Sequence, residues 1–173
     1  MLIETDRLLL RPLVSDDIDE FVEMHATPEV VATMGRFGRQ RSLERLERNE
    51  LEWRERGHGL MAVVERASGR FAGRSGLKYW PEFDETEVGW VLHPAYWGRG
   101  FATEGGRACL EWGFRSFDIP YFTAMIVPDN VRSIAVAERL GMRPIRSDVL
   151  ADLPVTVYAT ERASRSSAAP ARS

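Results

Sequence analysis

The residues best suited to chemistry lie between Pro94 and Gly106, in the stretch PAYWGRGFATEGG. Gly98, Gly100, Gly105 and Gly106 crowd the start of an expected helix, directly after the strand pattern TEVGWVLH. A strand–loop–helix junction bares several N–H groups at the positive end of a helix dipole, and such groups bind phosphate. Gly98 and Gly100 lack the Cβ atoms that would hold a diphosphate off the backbone. Arg99 adds a cation, and Thr103 offers a hydroxyl in the first turn. The same glycines would also suit a tight turn and a close helix–strand contact, because short glycine motifs are weak signals. Two other phosphate motifs do not fit. No Gly-Lys-Ser/Thr run exists, and Thr103 breaks the Gly-x-Gly-x-x-Gly spacing that Gly98 and Gly100 begin.

The other candidates are scattered. Asn130 and Ser133 stand three apart and share a helix face, and Asn130 also reads as a plain N-cap. His25 reads as packing on the first helix, His58 as a loop residue able to face an acceptor, and His93 as part of the strand exit. With no HxxxH spacing and Cys109 the only cysteine, no metal site is expected and no intramolecular disulfide can form. The formal net charge of −3, without a dominant basic stripe, argues against a nucleic-acid partner. The start MLIETDR is too acidic for a signal peptide, and nothing approaches the ~18 apolar residues of a membrane span. A cytoplasmic protein without a membrane partner is expected.

The elements that must position these residues follow from periodicity and punctuation. RLLLRPL reads as a first strand, and Ser15 then caps a helix carrying Ile18, Phe21, Val22 and His25. A second helix is expected near Leu43 to Trp53, with Leu43, Leu46, Glu50 and Trp53 along one side. Its Arg-rich run from Arg36 to Arg48 reads as a solvated face. LMAVVER, RFAGRSGLKYW and TEVGWVLH follow as strands. After the glycine stretch comes a helix ending before Pro120, then the strand YFTAMIV. A helix follows with Asp129 or Asn130 at its start and Gly141 as its C-cap, and then a last strand, LPVTVYAT. With 173 residues, 44% hydrophobic, the chain suits one α/β (α+β) domain over residues 1–162, a mixed sheet with helices on both faces. Residues 163–173, small and polar, read as a disordered tail.

The segment GWVLHPAYWGRGFATEGG resembles the acyl-CoA diphosphate loop of the GNAT superfamily of N-acetyltransferases. Its pattern falls on Trp97, Gly98, Arg99, Gly100, Phe101 and Ala102. ETDRLLLRPLVSDDIDEF and NVRSIAVAERLGM are similar to the opening and the second cofactor helix of the RimJ/RimL-like branch, which acetylates N-termini of ribosomal proteins. The resemblance runs from about Leu2 to Thr160. It implies a mostly antiparallel sheet splayed between its fourth and fifth strands, with acetyl-CoA as co-substrate and no metal. Trp97 stands where the superfamily has Gln or Arg, as is common in the Rim-like branch, and Gly105 and Gly106 stand where relatives carry better helix formers.

Acetyl transfer to an amine needs a polarised carbonyl, a deprotonated amine and a proton for the leaving thiolate. The resemblance implies backbone donors at Val91 and Leu92, facing AMIV across the splay, and places Asn130 and Ser133 near the pantetheine arm. Glu87, two alternations from Val91, is the candidate acceptor of the amine proton; its alternative is a solvated strand-edge carboxylate beside Glu85. Many relatives carry a Tyr acid four residues after Ser133, but that position is Ala137, which leaves Ser133 as the candidate near the sulfur. The expected function is direct acetyl transfer to a primary amine, on a protein N-terminus or a small molecule, by a monomer or homodimer. A non-catalytic acyl-CoA-binding sensor is the alternative. The Arg36–Arg48 run lies where relatives bind the acceptor, so an acidic peptide fits that place.

Overall fold

The computed structural model describes residues 1–162; the expected tail, 163–173, lies outside the described residues. Eight strands form one sheet: β1 (Ile3–Glu4), β2 (Leu8–Pro12), β3 (Leu60–Glu65), β4 (Arg70–Trp80), β5 (Glu85–Leu92), β6 (Tyr121–Ile126), β7 (Arg143–Leu150) and β8 (Leu153–Glu161). Their order is β1-β2-β3-β4-β5-β6-β8-β7, antiparallel throughout except where β5 meets β6. Five α-helices accompany them: α1 (Ile18–Ala26), α2 (Pro28–Met34), α3 (Arg39–Arg56), α4 (Phe101–Ser116) and α5 (Val131–Arg139).

Strand alternation sends side chains to two separate cores. Leu8, Leu10, Met61, Leu77, Val88 and Phe122 meet Phe101, Cys109 and Leu110 of α4 and Val136 of α5. Leu13 and Ala62 point the other way, to Phe21, Met24, Val30 and Leu46 of the three N-terminal helices. Helices cover both faces, as expected.

Three elements, the two-residue β1, α2 and β7, exceed the sequence reading. Pro28, at the first position of α2, starts a further helix directly after α1, over residues that the sequence pattern left unassigned. β7 forms an edge hairpin with β8 through Ala151 and Asp152, both at positive φ (48° and 64°). Neither residue is a glycine, so the turn gave no signal. α3 is also longer than expected; it buries Leu46 as expected, but with Ser42 and Asn49, while Leu43, Glu50 and Trp53 are half-buried. Asn49 sets this rotation: its amide donates to the Leu13 and Leu60 carbonyls and accepts from Leu60 N–H at 2.7 Å, tying the ends of β2 and β3 to the helix.

β5 and β6 pair in parallel only around Glu87 and Thr123, then part toward Leu92 and Ile126. This is the expected splay between fourth and fifth strands, one number later because β1 precedes them.

Candidate active site

A short 3₁₀ turn, Pro94–Tyr96, leaves β5, with the His93 ring accepting from Ala95 N–H. Trp97 then turns its indole back, Nε1 donating to the Leu92 carbonyl at 2.8 Å, which pins the loop to the strand end. Gly98 and Gly100 sit at φ +72° and +79°, the left-handed region that other residues adopt at a cost. α4 starts at once, and its first closing bond runs from Glu104 N–H to the Gly100 carbonyl. The N–H groups of residues 98–103 therefore have no intramolecular acceptor among the described residues. A Cβ built on Gly98 meets nothing within 4 Å, and one on Gly100 meets only the Arg7 guanidinium, so the mouth of the cradle is open. This fits a diphosphate.

Gly105 and Gly106 do other work. An added Cβ on Gly105 would touch Ser75, Leu10 and Leu8 of the sheet, and one on Gly106 would come within 3.0 Å of Leu140. These two glycines let α4 settle onto the sheet and the end of α5. The four glycines thus divide, two shaping an open loop and two allowing close packing. Arg99 pairs with Glu65 and lies over the Phe101 ring at 4.5 Å, so its charge is directed to the side of the cradle. A second cation, Arg132 at the start of α5, stacks over Trp97 at 4.4 Å. It had no motif to reveal it.

The splay holds the second group of residues. His93 N–H donates to the Ala72 carbonyl of β4, and Val91 lies opposite Arg74. Antiparallel alternation then turns the Val91 amide into the β4 ladder and the Leu92 amide toward the β6 side. Of these two residues, Leu92 turns its amide into the opening and Val91 does not; the Trp90 amide shares the Leu92 direction. Glu87 lies across from Lys78 at the root of the opening. Met125 N–H, without a β5 carbonyl to reach, donates to Glu87 Oε1 at 3.0 Å, and Trp80 Nε1 donates to Oε2 at 2.7 Å. Burial raises the Glu87 carboxyl above the ordinary range, against the pull of those two donors and of Lys78 and Arg74. The solvated-edge alternative does not hold for Glu87, nor for its neighbour: Glu85 is buried and takes a bidentate contact from Arg146 at 2.8 and 2.9 Å.

On the α1–α3 side of the splay a cleft of about 380 Å³ opens. Arg41, Arg45 and Arg48 of α3 line it, with Arg74, Lys78 and Trp80 of β4. His25 lies beneath, its Nδ1 2.9 Å from the Phe21 carbonyl; burial and Arg74 push it down to about 3, so it is neutral packing, as expected. His58 is also buried, edge-on to Phe117 at 5.2 Å, and does not face an acceptor.

Residues 7–143 match the family described as Acetyltransferase (GNAT) domain. The chain belongs to the GNAT acetyltransferase family. The Bacillus subtilis (strain 168) protein YkkB is 29% identical over 158 residues, 89% of this chain and 92% of its own. A solved acetyltransferase from Agrobacterium tumefaciens str. C58 is 29% identical, with a TM-score of 0.81, covering 94% and 95% of the two chains. RimL, the ribosomal L7/L12 alpha-N-protein acetyltransferase solved in complex with coenzyme A, shares the fold at 19% identity and a TM-score of 0.74 over 93% and 98%. The chain is thus an N-acetyltransferase by family, and Rim-type enzymes are among its structural neighbours.

Within this GNAT frame, the remaining expected residues sit on α5. Asn130 is its N-cap, accepting from Ser133 N–H at 3.2 Å. The Ser133 hydroxyl is half-buried and has no intramolecular partner among the described residues. Ala137, at the position where many GNAT relatives have the Tyr acid, is fully buried against the α4 core. Among the described residues, no helix is long and apolar enough to cross a membrane, and no cluster of His, Cys, Asp or Glu is grouped to hold a metal.

Proposed function

We propose that this protein transfers an acetyl group directly from acetyl-CoA to a primary amine, on a protein N-terminus or a small molecule. The observation that carries this reading is the run of unpaired amides at residues 98–103, one loop away from the splay. Those amides and the α4 dipole would take the diphosphate, with Arg132 and Thr103 beside it. The pantetheine arm would run along Asn130 and Ser133 into the opening between β5 and β6. Acetyl-CoA supplies the activated acyl carbon.

The Leu92 amide, aimed into the opening, is the donor for the developing oxyanion; one such donor contributes ~3 kcal/mol. Glu87 sits at the root of the same opening. Its two fixed donors occupy two of about four lone-pair directions, which leaves the carboxylate able to accept the amine proton directly or through a water. Its raised affinity for protons suits a general base working near neutral pH. The Ser133 hydroxyl is available to bond the sulfur. With Ala137 in the core, the proton for the departing thiolate comes from solvent or the protonated acceptor rather than from a tyrosine.

Calorimetry with acetyl-CoA and a thiol-release assay across a panel of amines test this together. Saturable binding followed by amine-dependent release supports the enzyme. Tight binding with no release for any amine would instead mark an acyl-CoA sensor.

A further inference from the structure

Arg74 is 7% exposed, and its Nε has no hydrogen-bond partner among the described residues. A buried charge left unpaired is expensive, and proteins keep one chiefly where something else comes to pair with it. The surroundings deepen the problem. The cleft above Arg74 is lined by five cations, Arg41, Arg45, Arg48, Arg74 and Lys78, against two carboxylates, Glu44 and Glu52. Not one of the five lies within ion-pair distance of a carboxylate among the described residues. Glu87 accepts from Met125 and Trp80 and favours the charged forms of Lys78 and Arg74 through space, but it lies beyond ion-pair distance of both.

We infer that the cleft is an anion subsite, and that the acetyl acceptor is an amine carrying a carboxylate within a few bonds. This rests on the acetyltransferase reading and names its substrate class. Position supports it: Arg74 lies across the ladder from Val91, beside Leu92, so a carboxylate on its guanidinium holds the attached amine at the mouth of the splay. The guanidinium edge that includes Nε forms two parallel bonds to a planar carboxylate. Arg45 stacks on Phe37 at 4.3 Å and points its charge into the same cleft. Burial brings Arg74 down only to about 10, so it stays cationic at neutral pH. The carboxylate has two sources: the α-carboxylate of a free amino acid, or an acidic side chain at the start of a peptide.

The test is equilibrium binding to the full chain, with and without CoA, of N-acetyl amino acids against their amides. A parallel arm uses N-acetyl dipeptides with Asp against Asn. A preference of at least tenfold for the carboxylate, ~1.4 kcal/mol, is expected in one arm, and which arm shows it identifies the source. R74M should erase the preference and raise the melting temperature, because it removes an unpaired buried charge, whereas a purely structural arginine would lower it. R74K, which keeps charge but loses the fork, and R45Q should each reduce the preference severalfold. Equal binding of every carboxylate and its amide, or a preference that survives in R74M, overturns the subsite. Failure to bind CoA refutes the acetyltransferase reading separately, since the titration without CoA still judges the anion subsite.

Discussion

Replacing Gly100 with valine strikes the diphosphate cradle where its geometry is least forgiving. Gly100 sits at φ +79° and ψ 4° as the N-cap of α4. An L-residue held there loses roughly 1–2 kcal/mol, and a β-branched one more. The loop has two responses. It can keep its shape and absorb the strain, or swing φ negative and turn the amides of residues 100 and 101 away from the cradle. Space does not decide between them, because a Cβ there meets only the flexible end of Arg7, 3.4 Å away. The second response forfeits two hydrogen bonds to a charged group, about 1.5 kcal/mol each at the low end of the range. Even one lost bond weakens binding about tenfold. Calorimetry with acetyl-CoA should therefore show Gly100→Val weaker by at least tenfold, with the circular dichroism spectrum retained. The control is Gly106→Ala, whose Cβ meets Leu140 in the core and should leave acetyl-CoA affinity unchanged. A dissociation constant for Gly100→Val within twofold of wild type, at unchanged melting temperature, would refute the cradle.

Glu87→Gln should lower turnover about 100-fold and remove the acidic limb of the rate profile. Because burial raises this carboxyl, activity should fall as pH drops through a point above the ordinary glutamate range, and near wild-type rates in the variant would make Glu87 structural. His25 is held neutral in the fold, down to about 3, whereas the unfolded chain protonates it near 6.5. Stability should thus decline as pH falls from 6.5 toward 3, and His25→Gln should flatten that slope in denaturant titrations; an unchanged slope would show that His25 is not the group involved. Ala137→Tyr should not restore a general acid. Forcing a ring into a fully buried site costs ~1–3 kcal/mol, so the melting temperature should fall with no gain in thiol release, and a faster variant would contradict the packing described for α5.

What could be read from the chain divides along physical lines. The strand–loop–helix junction and the α5 cap were legible because glycine, asparagine and short apolar runs act locally, whereas the splay was expected only through the resemblance that PAYWGRGFATEGG carries. α2 was missed because its 7 residues are too few to show a helical period, and β7 because its turn is made by Ala151 and Asp152, both at positive φ. Glu85 and Glu87 looked alike in sequence. Only the strand ladder shows that one meets Arg146 and the other fills the gap left by the parting of β5 and β6. The same limit applied to Val91 and Leu92, whose amides face opposite edges by an alternation that depends on which β4 residue lies opposite. Arg74 and Lys78 carried no motif at all. Their meaning comes from burial and from which charges fail to reach them.

The two faces of the sheet explain why the proposed site falls at the splay. The cofactor cradle belongs to α4, which packs on one face, and the cationic cleft belongs to α3, which packs on the other. In a continuous sheet, donor and acceptor would be separated by the backbone ladder itself. Parting β5 from β6 breaks that wall along one edge, and the Leu92 amide points along the sheet plane into the gap, reachable from both sides. The opening would leave Met125 N–H unsatisfied, which is costly for a buried amide. Glu87 satisfies it, so the carboxylate that keeps the gap open is the same one placed to take a proton there. Glu87→Gln should on this account change catalysis more than stability, since its amide oxygen can still accept from Met125 while only Trp80 Nε1 loses its acceptor. Glu87→Ala should change both, because it leaves the strand amide without any partner.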